Sequence, residues 1–157
     1  MELFVKKKLI FGCPVSGKVV PLSEVPDKAF SEGKMGVGVA ILPTKGEVIA
    51  PCDGKVEFSF PRNYAVAMVA AHSGEEFIIH VGIDTNKITS DCFELLAEPG
   101  QQIKKGDSLI RFDLERVERL NISTATPFVF VNLDDKDLTV LKWGTTAAGE
   151  DLLEVDK

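Results

Sequence analysis

The sequence is poor in the residues that most often carry out chemistry, with two histidines, three cysteines, one tryptophan and one tyrosine in 157 residues. Cys13, Cys52 and Cys92 are widely spaced and form neither a C-x-x-C pair nor a Cys/His zinc spacing. That excludes a zinc ribbon or a dithiol centre and leaves them as small buried residues of a reducing compartment. A long apolar run is also missing. The longest stretch without Asp, Glu, Lys or Arg runs from Asn121 to Leu133 and contains Pro127, well short of the roughly 18 apolar residues of a spanning helix, so no membrane insertion is expected. The opening MELFVKKKLIFG sets charge among its apolar residues and has no cleavage site, which argues against a secretory signal and for a cytoplasmic protein. Basic charge is in deficit as well: the net charge is −6 and the pI about 5.0. Nucleic acid is therefore not the expected ligand, and an acidic surface suits a basic partner.

What the chain does have is apolar residues, 45% of the total, arranged in short runs punctuated by glycine and proline. In Gly54–Phe60, the residues Val56, Phe58 and Phe60 alternate with Lys55, Glu57 and Ser59, the pattern of a half-buried strand. Further strands are expected at Lys18–Leu22, Val37–Leu42, Ala65–Ala71, Glu76–Val81, Ser108–Asp113, Phe128–Asn132, Thr139–Trp143 and Leu152–Val155. Helix is scarce, with Leu114–Leu120 the best candidate and one turn within Ser23–Phe30. The expectation is an all-β protein, an antiparallel β-sandwich or barrel-like fold with one or two short helices. No linker divides the chain, so residues 1–157 form a single domain, with 1–12 read as a flexible or peripheral amino-terminal segment. Two internal echoes point to a pair of interlocked β-units. Pro14-Val15-Ser16-Gly17-Lys18-Val19 matches Pro51-Cys52-Asp53-Gly54-Lys55-Val56, and the segment from Gly100 to Leu109 resembles that from Gly144 to Leu153.

The two histidines are not equivalent. His72 sits in a polar turn, His72-Ser73-Gly74-Glu75, between apolar strands and reads as an exposed turn residue. His80 lies in Phe77-Ile78-Ile79-His80-Val81-Gly82-Ile83-Asp84-Thr85, apolar on both alternating faces. An imidazole there must be satisfied by hydrogen bonds or used. Gly82 clears room on the same face and Asp84 stands where the strand leaves the core, so together they describe a shallow site on a sheet.

HVGIDT (His80–Thr85), preceded by Gly74-Glu75-Glu76-Phe77-Ile78-Ile79, with the segments Pro14–Ile41 and Ala50–Val56 upstream and Glu98–Glu118 downstream, resembles the glucose-family enzyme IIA component of the bacterial phosphoenolpyruvate-dependent sugar phosphotransferase system. The resemblance covers nearly the whole chain. It implies a cytoplasmic β-sandwich, without cofactor or metal, whose His80 takes a phosphoryl group from the histidine phosphocarrier protein and passes it to the IIB domain of a sugar permease. Regulatory targets such as transporters or kinases are further partners the family suggests. It also implies a backbone carbonyl near Gly82 that fixes the ring proton, with attack through the distal nitrogen. Ile78 and Val81 are expected to keep hydrolytic water from the ring.

Three positions depart from the family pattern. The auxiliary histidine that faces the phosphorylated one is replaced by Tyr64, the usual threonine two residues earlier is Arg62, and the acid of the glycine-flanked rim loop is Val37 within Gly36-Val37-Gly38. Setting Tyr64 directly across from His80 requires one extra residue in the hairpin around Ala71–Ser73; without it Ala65 faces His80. Arg62 is either a fixed positive charge for the phosphoryl group or a solvated strand-end residue. Asp84 remains as an acid to attract a basic partner. The alternative function is a non-transferring or transfer-impaired regulatory protein of the same fold. A lipoyl domain is excluded because Lys28 has too little chain before it and Pro26 spoils the turn. A zinc peptidase is excluded because two histidines cannot supply the ligand set.

Overall fold

The computed structural model describes residues 8–88 and 91–156. In order, the chain forms β1 (Lys8–Gly12), β2 (Gly17–Pro21), α1 (Lys28–Ser31), β3 (Val37–Pro43), β4 (Glu47–Ile49), β5 (Gly54–Ser59), β6 (Ala65–Ala70) and β7 (Glu76–His80). It continues through β8 (Phe93–Leu95), β9 (Gln102–Ile103), β10 (Ser108–Phe112), α2 (Leu114–Arg119), β11 (Thr126–Phe130), β12 (Leu138–Val140), β13 (Gly144–Thr146) and β14 (Asp151–Asp156). Eight strands make one sheet in the order β13-β2-β3-β11-β7-β6-β5-β9, and two three-stranded sheets, β1-β14-β12 and β4-β10-β8, complete the structure. Every pairing is antiparallel. The fold is the expected β-sandwich, and no described helix is long and apolar enough to cross a membrane.

The central strands are apolar on both faces because both faces are covered. On the inner face Val39, Ile41, Val66, Met68, Phe77, Ile79, Phe128 and Phe130 join Phe11, Val48, Leu109, Leu152 and Leu153 of the small sheets in one core. Within it Phe77 meets Phe11, Phe128 and Phe130 with ring centroids 5.9, 5.5 and 5.5 Å away. On the outer face Val20, Ala40, Ala67, Ile78 and Val129 form a second cluster with Val25 and Phe30. The cover there comes from the segment around α1, whose first turn is capped by the Asp27 carboxylate accepting from the Ala29 N–H at 2.8 Å.

The internal echoes correspond to repeated hydrogen bonds. Cys13 exchanges backbone bonds with Gly149 and Glu150 as Ala50 does with Gly106 and Asp107. The Ser16 Oγ accepts from the Ala148 N–H, and the Asp53 carboxylate accepts from the Lys105 N–H at the matching place. Asp107 and Glu150 each close their own turn, accepting from the N–H of Lys104 and of Ala147. The two segments share a backbone hydrogen-bond pattern although the side chains that complete it differ.

Three expectations are corrected. Lys8–Gly12 is not peripheral: β1 pairs with β14 and Phe11 is 2% exposed, while residues 1–7 lie outside the described residues. Of the strand expected over Thr139–Trp143 only Thr139 and Val140 are in a strand, the end of β12, and the next strand, β13, starts beyond the expected range at Gly144, which has φ +81°. Phe58 does not share the core with Val56, because Val56 pairs with Met68 and Phe58 with Ala67, leaving Glu57 as an extra residue. Such a bulge reverses the alternation beyond it, and Phe58 is 50% exposed on the outer side. The strands β4, β8, β9 and β13 were not signalled, since each spans two or three residues, too few to display a period.

Candidate functional site

His80 ends β7 and, two residues beyond Ile78, points to the outer face. Its Nδ1 lies 2.8 Å from the Gly82 carbonyl oxygen. A carbonyl can only accept, so Nδ1 carries the proton and Nε2 keeps its lone pair. The chain from Val81 to Ile83 is held on both sides: the Val81 N–H donates to the Tyr64 carbonyl, the Gly82 N–H to that of Ala125, and the Ile83 N–H to that of Ser123. Gly82 adopts φ +81°, and a Cβ there would lie 2.8 Å from Thr85 Cγ2 and 2.9 Å from the Ser123 oxygen. Only glycine turns its carbonyl back to the ring at this point. Thr85, itself buried, donates from Oγ1 to the Val81 carbonyl at 3.1 Å and braces the same turn.

Three rings surround the imidazole, Tyr64, Phe30 and Phe60, with centroids 4.9, 5.3 and 6.0 Å from it. Their burial of the ring lowers its pKa below the ordinary histidine value, against the opposing pull of the Gly82 carbonyl and the Asp27 charge. The neutral, nucleophilic form therefore persists into more acid solution. We expect the His80 ring to titrate in NMR with a midpoint below the usual value of about 6.5, and a midpoint at or above it would contradict this environment.

Ala65, not Tyr64, is the strand partner of His80. Tyr64 nevertheless reaches the imidazole from outside the strand, where it ends the turn Pro61–Asn63 with φ −86° and ψ −7°. Arg62 and Asn63 before it both have positive φ, +67° and +63°, a conformation rare outside glycine that steers the chain into this approach. Arg62 itself is exposed. Asp84 is exposed at φ +58° and forms an ion pair with Lys87 at 3.7 Å. Ile78 lies beneath the site on the same face.

One expected neighbour is elsewhere. Val81 is completely buried in the inner core and faces away from the imidazole, because the strand alternation continues one residue past His80. Val37, expected on the rim of the partner site, packs against that same inner core. The imidazole is instead flanked by Phe30 and Phe60, which sequence reasoning missed. Phe30 is brought in by a segment remote in sequence, and no local pattern signals such a contact. His72 is exposed in the hairpin turn at φ +67°, away from the site. Burial pushes the Cys13 and Cys52 thiols up to about 11 and about 12, which makes them poor nucleophiles. Among the described residues no three His, Cys, Asp or Glu side chains converge as a metal site would require.

The fold is similar to that of the glucose permease IIA from Mycoplasma capricolum, with a TM-score of 0.89 and 31% sequence identity over 98% of this chain and 99% of that one. Residues 9–136 match the family described as phosphoenolpyruvate-dependent sugar phosphotransferase system, EIIA 1. With both the sandwich and most of its sequence in common, this chain belongs to the EIIA 1 family of the sugar phosphotransferase system and is a phosphocarrier component of that system.

Proposed function

We propose that the protein is a cytoplasmic phosphocarrier that accepts a phosphoryl group on Nε2 of His80 from the histidine phosphocarrier protein and delivers it to the IIB domain of a sugar permease. The observation that carries this reading is the contact between Nδ1 and the Gly82 carbonyl. The Nε2 lone pair attacks phosphorus as the P–N bond of the donor phosphohistidine breaks, and the donor ring leaves with that electron pair. His80 then bears phosphorus on Nε2 and the proton on Nδ1, so the ring is cationic and the Gly82 carbonyl dipole stabilises it. Delivery reverses these roles, and the ring departs neutral with its proton still on Nδ1. Neither step requires a proton shuttle. The rings of Phe30, Phe60 and Tyr64 limit access of hydrolytic water. Arg62, exposed before Tyr64, is the cation available to the phosphoryl oxygens, and exposed Asp84 draws in a basic partner surface. The test is incubation with phosphoenolpyruvate, enzyme I and the carrier, followed by addition of a IIB domain; a protein that never acquires an acid-labile phosphoryl group refutes the proposal.

Tyr64 favours a second reading, in which uptake persists but delivery is impaired. A phenol has no basic ring nitrogen and cannot become a cation as an imidazole can, so it gives the departing phosphoryl group less electrostatic help. Tyr64→His should then raise the single-turnover rate of delivery more than that of uptake, and Tyr64→Phe should lower both only modestly. If delivery by the parent is fast and Tyr64→His slows it, Tyr64 is a working part of a different site and the impaired reading fails.

A further inference from the structure

Phe30 reaches the imidazole from α1, a helix of only four residues, Lys28–Ser31. A single turn does not persist on its own propensity. The ring rests on the outer cluster and lies 5.3 Å from the His80 ring between centroids. It also borders an open cavity of about 390 Å³ shared with Leu22, Val37 and Trp143, so packing does not fill all the space around it. What closes the turn is Asp27. Its carboxylate accepts from the Ala29 N–H at 2.8 Å, and its carbonyl accepts from the Ser31 N–H at 2.8 Å, one bond on either side of Phe30 in sequence. Asp27 itself is extended, at φ −155° and ψ 123°, so the chain passes from strand-like backbone into the turn at this one residue.

We propose that Asp27 is a positioning residue for phosphoryl transfer: by closing the α1 turn it keeps the Phe30 ring against the imidazole and so protects the phosphoryl group on His80 from hydrolysis. The consequence for the phosphoryl group rests on the transfer proposed at His80; the position of the ring does not. In hydrolysis a water oxygen attacks phosphorus, the P–N bond breaks and its electron pair returns to Nε2. The ring departs neutral with its proton on Nδ1, and phosphate is released. Water gains access when the turn opens and Phe30 moves off the ring, so the frequency of that local opening sets the rate of loss. The Asp27 charge also acts on the imidazole directly, against the effect of burial. The two effects separate by substitution, because Asn and Ser cap a turn about as well as Asp without its charge, and Ala does not cap at all.

Full-length Asp27→Ala, Asp27→Asn and Asp27→Ser proteins are compared with the parent by two measurements. In NMR, cross-relaxation peaks between the ring protons of Phe30 and His80 should weaken in Asp27→Ala and persist in Asp27→Asn and Asp27→Ser. The second measurement follows phosphorylation from phosphoenolpyruvate through enzyme I and the carrier, and removal of those proteins. Asp27→Ala should then lose its phosphoryl group roughly fivefold faster than the parent, the factor expected from loss of a cap, while the other two stay within about twofold of it. The inner core does not include Asp27 or Phe30, so circular dichroism should show the sandwich folded in all three variants. The proposal is overturned if Asp27→Ala keeps the parent's peaks, if the peaks weaken without shortening the phosphoryl lifetime, or if Asp27→Asn and Asp27→Ser behave as Asp27→Ala does, since the charge and not the cap would then be at work. Peaks that follow the expected pattern in a protein that is never phosphorylated would uphold the positioning of Phe30 and refute the transfer reading.

Discussion

His80→Ala protein will take up no phosphoryl group from the phosphorylated carrier, while His72→Ala protein will be labelled at the rate of the parent. The structure separates the two residues by environment. His80 has a fixed tautomer, with Nδ1 bonded to the Gly82 carbonyl at 2.8 Å and three rings around it. His72 is exposed in a turn at the other end of β7. Among the described residues no other imidazole lies at the site to form a P–N bond, so the loss should reach the detection limit. The check is gel-based detection of label from radioactive phosphoenolpyruvate in both variants and the parent. Equal labelling of both variants would sink the assignment of His80.

The second large effect concerns the fold that holds this histidine. Phe77→Ala should lower stability by about 3–5 kcal/mol, because Phe77 is 1% exposed and touches the rings of Phe11, Phe128 and Phe130. For a chain of this size that corresponds to a fall in Tm of roughly 10 °C, measurable by calorimetry. Phe77 sits three residues before His80 on β7, facing the opposite side of the sheet. Below the new Tm, uptake by His80 should therefore stay near the parent rate. A variant that melts with the parent would mean that the inner aromatic cluster is not the central support of the sandwich.

Most strands were legible because they are local patterns. Central strands such as Glu76–His80 and Ala65–Ala70 are apolar on both faces, and that composition persists whatever packs against them. The helix Leu114–Arg119 was legible for the same reason, from the spacing of Leu114, Val117 and Leu120, and in the structure the Asp113 carboxylate caps it by accepting from the Arg116 N–H. The interlocked units were visible as repeated turn residues, since Ser16 and Asp53 do the same hydrogen-bonding work in each copy. β1 was missed because Lys8–Gly12 gains its strand conformation from pairing with β14 at the far end of the chain.

For the site, the sequence by itself singled out His80 as the candidate nucleophile and Gly82 beside it, and the family resemblance set Tyr64 at the auxiliary position. An imidazole in an apolar strand followed by a glycine is a local anomaly, and anomalies of that kind survive without knowledge of neighbours. Only the tertiary structure decided which side chains surround His80. The alternation carries Val81 into the inner core, Phe30 arrives from the covering segment, and Tyr64 reaches the ring from a turn while Ala65 takes the strand register. One extra residue at Glu57 likewise reversed the direction of Phe58. A bulge depends on how one strand pairs with another and leaves no mark in the residues of either strand alone. Contacts between segments far apart in the chain are selected by the packing of the whole sandwich, which is why the ring's environment became visible only when the sheets closed over one another.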